Sequence, residues 1–127
     1  MVFTSSGHVT LLPHWVDYPS AGPIYAGFSC TPLLLYNGQN IVNTGTLDNK
    51  QLTAYISRGA IALKGQTLYV VTIQGATVPD LAQALMTLGV DSAINSDAGG
   101  SSGMYYNGSY RLGPGRAVPN ALVFVEQ

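Results

Sequence analysis

Thr77-Val-Pro-Asp-Leu-Ala-Gln-Ala-Leu-Met-Thr-Leu-Gly89 is the stretch that decides the fold. Thr77 stands where an N-cap belongs, Pro79 and Asp80 fill the first turn, and Gly89 follows as a stop. Leu81, Leu85 and Leu88 share one face, which predicts a helix whose leucines, with Met86, pack as core. It is the only helix the sequence writes clearly. Val90 to Ile94 then reads as a short buried strand, so the helix is expected to lie on a sheet.

The rest of the chain reads as β-structure. Upstream, Leu33-Leu-Leu-Tyr-Asn-Gly-Gln-Asn-Ile-Val42 is a hairpin with Asn37-Gly38 at its turn, a pair suited to the positive φ angles of type I′. Residues 43–49 read as a loop. Leu52 to Leu63 and Thr67 to Gln74 form a second hairpin joined at Lys64-Gly65, and Ile24 to Phe28 is a further short strand. Residues 1–23 read as an irregular arm with one strand at Val9 to Leu12 and Trp15 as a packing anchor. His8 and His14 lack companions at metal-binding spacing and read as surface or cap residues. Downstream, Met104 to Arg111 is a third hairpin around Asn107-Gly108, Leu112 to Gly115 is a loop, and Ala121 to Val125 is expected to close the sheet. The fold class this predicts is α+β: a single β-rich domain over 1–127, a mixed twisted sheet built from hairpins with one main helix packed on it.

Composition narrows the function classes. Hydrophobic residues make up 46% of the 127, charged residues only 9%, and the formal net charge is −1. The five basic residues, Lys50, Arg58, Lys64, Arg111 and Arg116, are scattered, which excludes duplex nucleic acid as a partner held by counterion release. A small anionic ligand needs only two or three cations and stays open. So little surface charge also leaves little to oppose self-association, so a homo-oligomer or a virion or assembly role is expected. A lone Cys30 excludes an internal disulfide and a Cys-based zinc site. The first residues lack the basic start and apolar run of a signal peptide, and no apolar run reaches membrane-spanning length. No membrane partner is expected, and the location is expected to be cytoplasmic or virion-associated.

The candidate site is Asn95-Ser-Asp-Ala-Gly-Gly-Ser-Ser-Gly-Met104. Gly99, Gly100 and Gly103 let a ligand approach the backbone, Ser101 and Ser102 add short hydrogen-bonding groups, and Asp97 is the only ionisable side chain there. Two readings fit: a tight strand-to-strand turn, or a ligand cradle at a strand's carboxyl end.

The order of motifs resembles the phosphodiester glycosidase family. Thr31-Pro-Leu-Leu-Leu-Tyr-Asn-Gly38, Ser57-Arg-Gly-Ala-Ile-Ala62, Leu81 to Leu88, Asn95 to Met104 and Arg116-Ala-Val-Pro-Asn-Ala-Leu122 follow one another as that family's motifs do. The resemblance covers residues 26–125. Ala98 stands where the motif has glycine, Gly59 and Gly103 where it has threonine, and Ser96 where it has leucine. The family's earlier Asn-Gly-Gly-Phe-Phe segment is reduced to Tyr25-Ala-Gly-Phe28, as in a minimal version of the domain.

The resemblance implies a hydrolase that cleaves a glycosyl phosphodiester between the anomeric carbon and phosphate. Arg58 and Arg116 would hold the phosphate through the guanidinium fork, with backbone N–H groups of Gly99 and Gly100 beside them. Asp97 would act as acid or base, or as ligand of a divalent cation; no cofactor is otherwise expected. Asn95, Ser101, Ser102 and Asn120 would orient sugar hydroxyls or hold the loop. Glycoside hydrolysis commonly uses two carboxylates, and the chain offers few, but a phosphate leaving group departs with little protonation. Two other readings stand beside this one. One is a non-catalytic module that binds a phosphorylated sugar or nucleotide, phage-encoded in one version; the other is a virion or assembly protein that keeps only the fold.

Overall fold

Asn37 (φ 51°) and Gly38 (φ 75°) adopt the left-handed pair that a type I′ turn requires, and Asn107 (φ 49°) and Gly108 (φ 77°) repeat it. Both predicted hairpins therefore form: β4 (Leu33–Tyr36) with β5 (Gln39–Asn40), and β9 (Met104–Tyr106) with β10 (Ser109–Leu112). The structure is a computed structural model that describes residues 1–14, 17 and 21–125; the expected anchor Trp15 lies outside the described residues. Ahead of these hairpins come β1 (Val2–Thr4), β2 (Val9–Thr10) and β3 (Ile24–Gly27). Between them stand α1 (Asn49–Thr53), β6 (Ile56–Lys64), β7 (Thr67–Ala76), α2 (Val78–Thr87) and β8 (Ser92–Ala98).

The main sheet has the order β5-β4-β8-β6-β7, a second sheet has the order β2-β1-β3, and β9 and β10 pair with each other alone. The α+β class holds, but the expected mixed sheet is antiparallel in every described pairing. The reason is where β8 inserts. After α2 the chain passes β6 and enters between β4 and β6, both running opposite to it, instead of beside β7, whose direction it shares.

Alternation along β6 divides the core. Ala60 and Ala62 face α2 with Leu34, Val78, Leu81, Ala82, Leu85 and Ala93, while Ile61 and Leu63 face away with Met1, Leu11 and Ile94. Small residues under the helix let it approach the sheet closely, and each fully buried leucine contributes roughly 1.5–3 kcal/mol. The helix starts as read: Thr77 Oγ1 accepts from the Asp80 N–H at 3.2 Å, and Asp80 Oδ2 accepts from the Thr77 N–H at 2.9 Å. Its end corrects the core assignment, because Leu88 is 53% and Met86 38% exposed. Met86 lies about 100° around the axis from buried Leu85, and Leu88 caps a helix whose last turn outruns the sheet.

Other expectations are corrected by tertiary contacts. Leu52 and Thr53 belong to α1, not to a strand, because Asp48 and Gln51 form a capping box: the Gln51 N–H donates to Asp48 Oδ1 at 2.7 Å. The irregular arm over 1–23 contains β1 and β2, with Met1 and Val2 buried. Ala121 to Val125 forms no strand; Val123 and Val125 are exposed, since no sheet edge meets them. Among the described residues no helix is long and apolar enough to cross a membrane.

Candidate functional site

β8 runs through Asn95, Ser96, Asp97 and Ala98, four residues past the strand predicted for it, and only then does the chain turn at Gly99–Ser101. Pairing with β6 carries these polar residues into the sheet. Register runs from Leu63↔Ser92 to Ala60↔Asn95 and slips before Arg58↔Ala98, a bulge that places one extra residue in β8. Gly59 sits at this slip. A Cβ there would collide with Ser96 Oγ and lie 3.4 Å from the Asp97 carbonyl oxygen. Two of the four departures from the motif, Gly59 and Ser96, therefore meet in one packing contact.

The turn is held from two sides. Gly99 takes φ 60°, and the Ser102 N–H donates to the Gly99 carbonyl at 3.0 Å. Ser102 is buried, and its hydroxyl donates to the Asp97 carbonyl at 3.1 Å and to that of Ser57 at 3.3 Å, so it locks the turn onto β6. From the distant carboxyl-terminal segment, the Gly115 N–H donates to the Gly100 carbonyl at 2.9 Å, and Arg116 Nη2 donates to Ser101 Oγ. Arg116 is exposed, and nothing stands within 4 Å of where a Gly100 Cβ would be. A cation and an open stretch of backbone thus lie together.

Asp97 heads this turn with an exposed carboxylate that makes no hydrogen bond among the described residues. Three other aspartates are engaged: Asp48 and Asp80 cap helices, and Asp91 Oδ2 accepts from the Gly65 N–H at 2.6 Å. Cys30 feels the charge of Asp97, a proximity that no local pattern of residues marks. Partial desolvation first, and the Asp97 charge second, push its thiol up, which keeps it protonated and a poor nucleophile at neutral pH. Cys30 also lines a cleft of about 240 Å³ with Thr31, Leu33 and Ile94.

Arg58 and Asn95 go elsewhere. Arg58 is 2% exposed; its Nε donates to the Ala76 carbonyl at 2.7 Å, and its Nη2 to the carbonyls of Lys50 at 2.9 Å and Ala54 at 3.1 Å. Its guanidinium therefore joins the end of α1 to the start of α2. Burial lowers its pKa, and Asp48 and Asp80 are the acids that oppose the shift. The structure does not bring its side chain to the turn, although its backbone pairs with Ala98. Asn95 is buried; its Nδ2 donates to the Thr31 carbonyl at 3.0 Å, and its Oδ1 has no hydrogen-bond partner among the described residues. Asn120 is exposed and takes no part in the turn's hydrogen bonds. No group of three or more His, Cys, Asp or Glu side chains able to hold a metal occurs among the described residues.

The fold and site together define an antiparallel α+β domain with a serine- and glycine-rich turn clasped by a distant arginine. The chain belongs to the phosphodiester glycosidase family, whose pattern it matches over residues 1–125. Among solved structures it is similar to a hypothetical protein from Synechocystis, at 26% identity and a TM-score of 0.64, over 77% of this chain and 20% of that one. It is also similar to the catalytic domain of zebrafish N-acetylglucosamine-1-phosphodiester alpha-N-acetylglucosaminidase, auto-inhibited by its pro-peptide. That likeness has 20% identity and a TM-score of 0.61, over 74% of this chain and 36% of that one, and it is a likeness of fold. This chain thus spans about a fifth and about a third of the two. No curated protein sequence matches it.

Proposed function

We propose that this protein hydrolyses a glycosyl phosphodiester at the Gly99–Ser101 turn, with Asp97 and Arg116 as the acting side chains. The observation that carries the reading is the clasp between Arg116 and Ser101, which brings a cation from a distant segment to the turn that follows the exposed Asp97 carboxylate. Arg116 binds a phosphate oxygen, and Gly100 lets the phosphate come up to the backbone. Family membership supports the reaction class. In this scheme the sugar lies toward Asp97 and the 240 Å³ cleft beside Cys30. Asp97 stabilises the oxocarbenium-like transition state or takes a proton from the attacking water as the C–O bond to phosphate breaks. Arg58 and Ser102 hold the scaffold.

The experiment is release of free sugar from a panel of sugar phosphodiesters, with Asp97→Asn as the control. We expect turnover by the native chain and a loss of about a hundredfold or more in kcat for Asp97→Asn, with the melting temperature preserved. Retained turnover in Asp97→Asn removes Asp97 from the mechanism. Thermal stabilisation by the panel without turnover supports a binding module instead.

A further inference from the structure

The β9–β10 hairpin pairs with no other strand among the described residues, yet both of its ends are fixed to the candidate site. Ser102, buried against β6, immediately precedes Gly103. A Gly103 Cβ would lie 3.1 Å from Pro114 Cδ, so the two legs of the hairpin touch at its base. One residue beyond Pro114, Gly115 is bonded to Gly100, and Arg116 to Ser101. The hairpin therefore rises directly from the turn, and Tyr105, three residues past Ser102, has its Cα within roughly 11 Å of it.

What the hairpin presents is aromatic. Tyr105 and Tyr110 are cross-strand partners on one face, each 64% exposed, with ring centroids 5.2 Å apart and planes at 79°. Such an edge-to-face pair fixes both rings, and a surface ring held in place loses little entropy when a ligand stacks on it. Tyr106 belongs to the opposite face with the half-buried Met104 and Leu112. The mutual contact of Tyr105 and Tyr110 stabilises the ribbon by roughly 0.2–1 kcal/mol, which accounts for the two rings meeting but leaves most of each ring's surface open to solvent.

We infer that the Tyr105–Tyr110 face is a stacking platform for an aromatic ring on the aglycone side of the phosphodiester. The inference rests on the proposed phosphate site. The scheme assigns the Cys30 cleft and Asp97 to the sugar, Gly100 and Arg116 to the phosphate, and the hairpin whose base is tied to the same turn to the group the phosphate carries. A methyl aglycone is too small to cover either ring, whereas an aromatic one stacks on them.

The test compares binding of phenyl phosphate and methyl phosphate, which share the anion and differ in the ring. Phenyl phosphate is expected to bind about tenfold more tightly, the scale of one stacked ring, and Tyr105→Ala or Tyr110→Ala should abolish that difference while methyl phosphate binding persists. Tyr106→Ala, on the other face, should keep the difference, and melting temperatures of the three variants establish that each is folded. Equal affinity for the two esters, or a difference that survives Tyr105→Ala and Tyr110→Ala, overturns the platform and leaves the phosphate site standing. Failure of both esters to bind overturns the phosphate site itself, and the platform with it.

Discussion

Arg58 and Arg116 are the same residue type in two regions that the family resemblance treats alike, and the fold uses them in opposite ways. Arg58 is enclosed where α1, β6 and the end of β7 meet, its donors committed to three backbone carbonyls. Arg116 stands in the open, with a serine hydroxyl as its partner. The difference teaches that a motif arginine can serve the ligand or the backbone, and that burial together with the acceptor type distinguishes the two. Carbonyls left over at helix and strand ends need donors, and a buried guanidinium supplies several at once.

The strongest way to break this comparison is Arg58→Met, which keeps much of the stem and removes every donor. Leaving the buried Ala76 carbonyl unsatisfied, together with losing the part-buried bonds to Lys50 and Ala54, should cost about 3 kcal/mol, read as a lower urea midpoint. Arg58→Lys should recover only part, since one ammonium cannot match the spread of a planar fork. An unchanged midpoint with ligand binding abolished would return Arg58 to the turn's side of the comparison.

Gly59→Ala comes next, because it strikes the β6–β8 contact that lies between the two regions. The added methyl meets Ser96 Oγ, and overpacking of this kind should cost about 2 kcal/mol. Ser96→Ala removes the clashing oxygen, so the double variant should regain most of the loss in a denaturation cycle. Additive losses would show that backbone strain at the bulge, not the hydroxyl, is what the glycine relieves.

Arg116→Ala sharpens the contrast from the other side. On the exposed turn it should change stability by no more than about 0.5 kcal/mol while weakening phosphate binding about tenfold, the scale of one charge-assisted bond. Calorimetry with inorganic phosphate reads the second, and thermal melting the first. A large fall in melting temperature would make Arg116 a second structural arginine.

These contrasts follow what the sequence could and could not disclose. Asn37-Gly38 and Asn107-Gly108 are legible because a type I′ turn demands positive φ from two adjacent residues, a local requirement. The Thr77–Asp80 cap is legible for the same reason. The polar end of β8 is not: Asn95, Ser96 and Asp97 have low strand propensity, and only pairing with β6 across a bulge makes them strand. Ala121 to Val125 errs the other way, a strand-like pattern without an edge to join. In the candidate site, the glycines and Asp97 announce a turn with one acid. The clasp from Arg116 and the proximity of Cys30 depend on segments far apart in sequence, which no local pattern encodes. Asn95, expected to orient a sugar hydroxyl or hold the loop, is a buried tie to the Thr31 carbonyl.

The smallest effect belongs to the helix start beside Arg58, and it separates local capping from the larger network there. Hydrogen bonds from the Thr77 hydroxyl first, and from its N–H second, hold the Asp80 carboxyl below its ordinary 3.8, with the Arg58 charge contributing least. A carboxyl depressed in the folded state is ionised there at a pH where the unfolded chain has begun to protonate. Its contribution is therefore complete above the unfolded value and is lost as pH falls through the lower, folded one. Thr77→Ala should cost about 1 kcal/mol at neutral pH and should flatten the acid side of the stability profile, as should Asp80→Asn. Arg58→Met should leave that acid limb nearly unchanged, because the guanidinium is the weakest of the influences on Asp80. If Arg58→Met instead flattens the limb as fully as Thr77→Ala does, the cap is an ion pair in disguise, and the region around Arg58 is electrostatic where the hydrogen bonds make it a matter of backbone satisfaction.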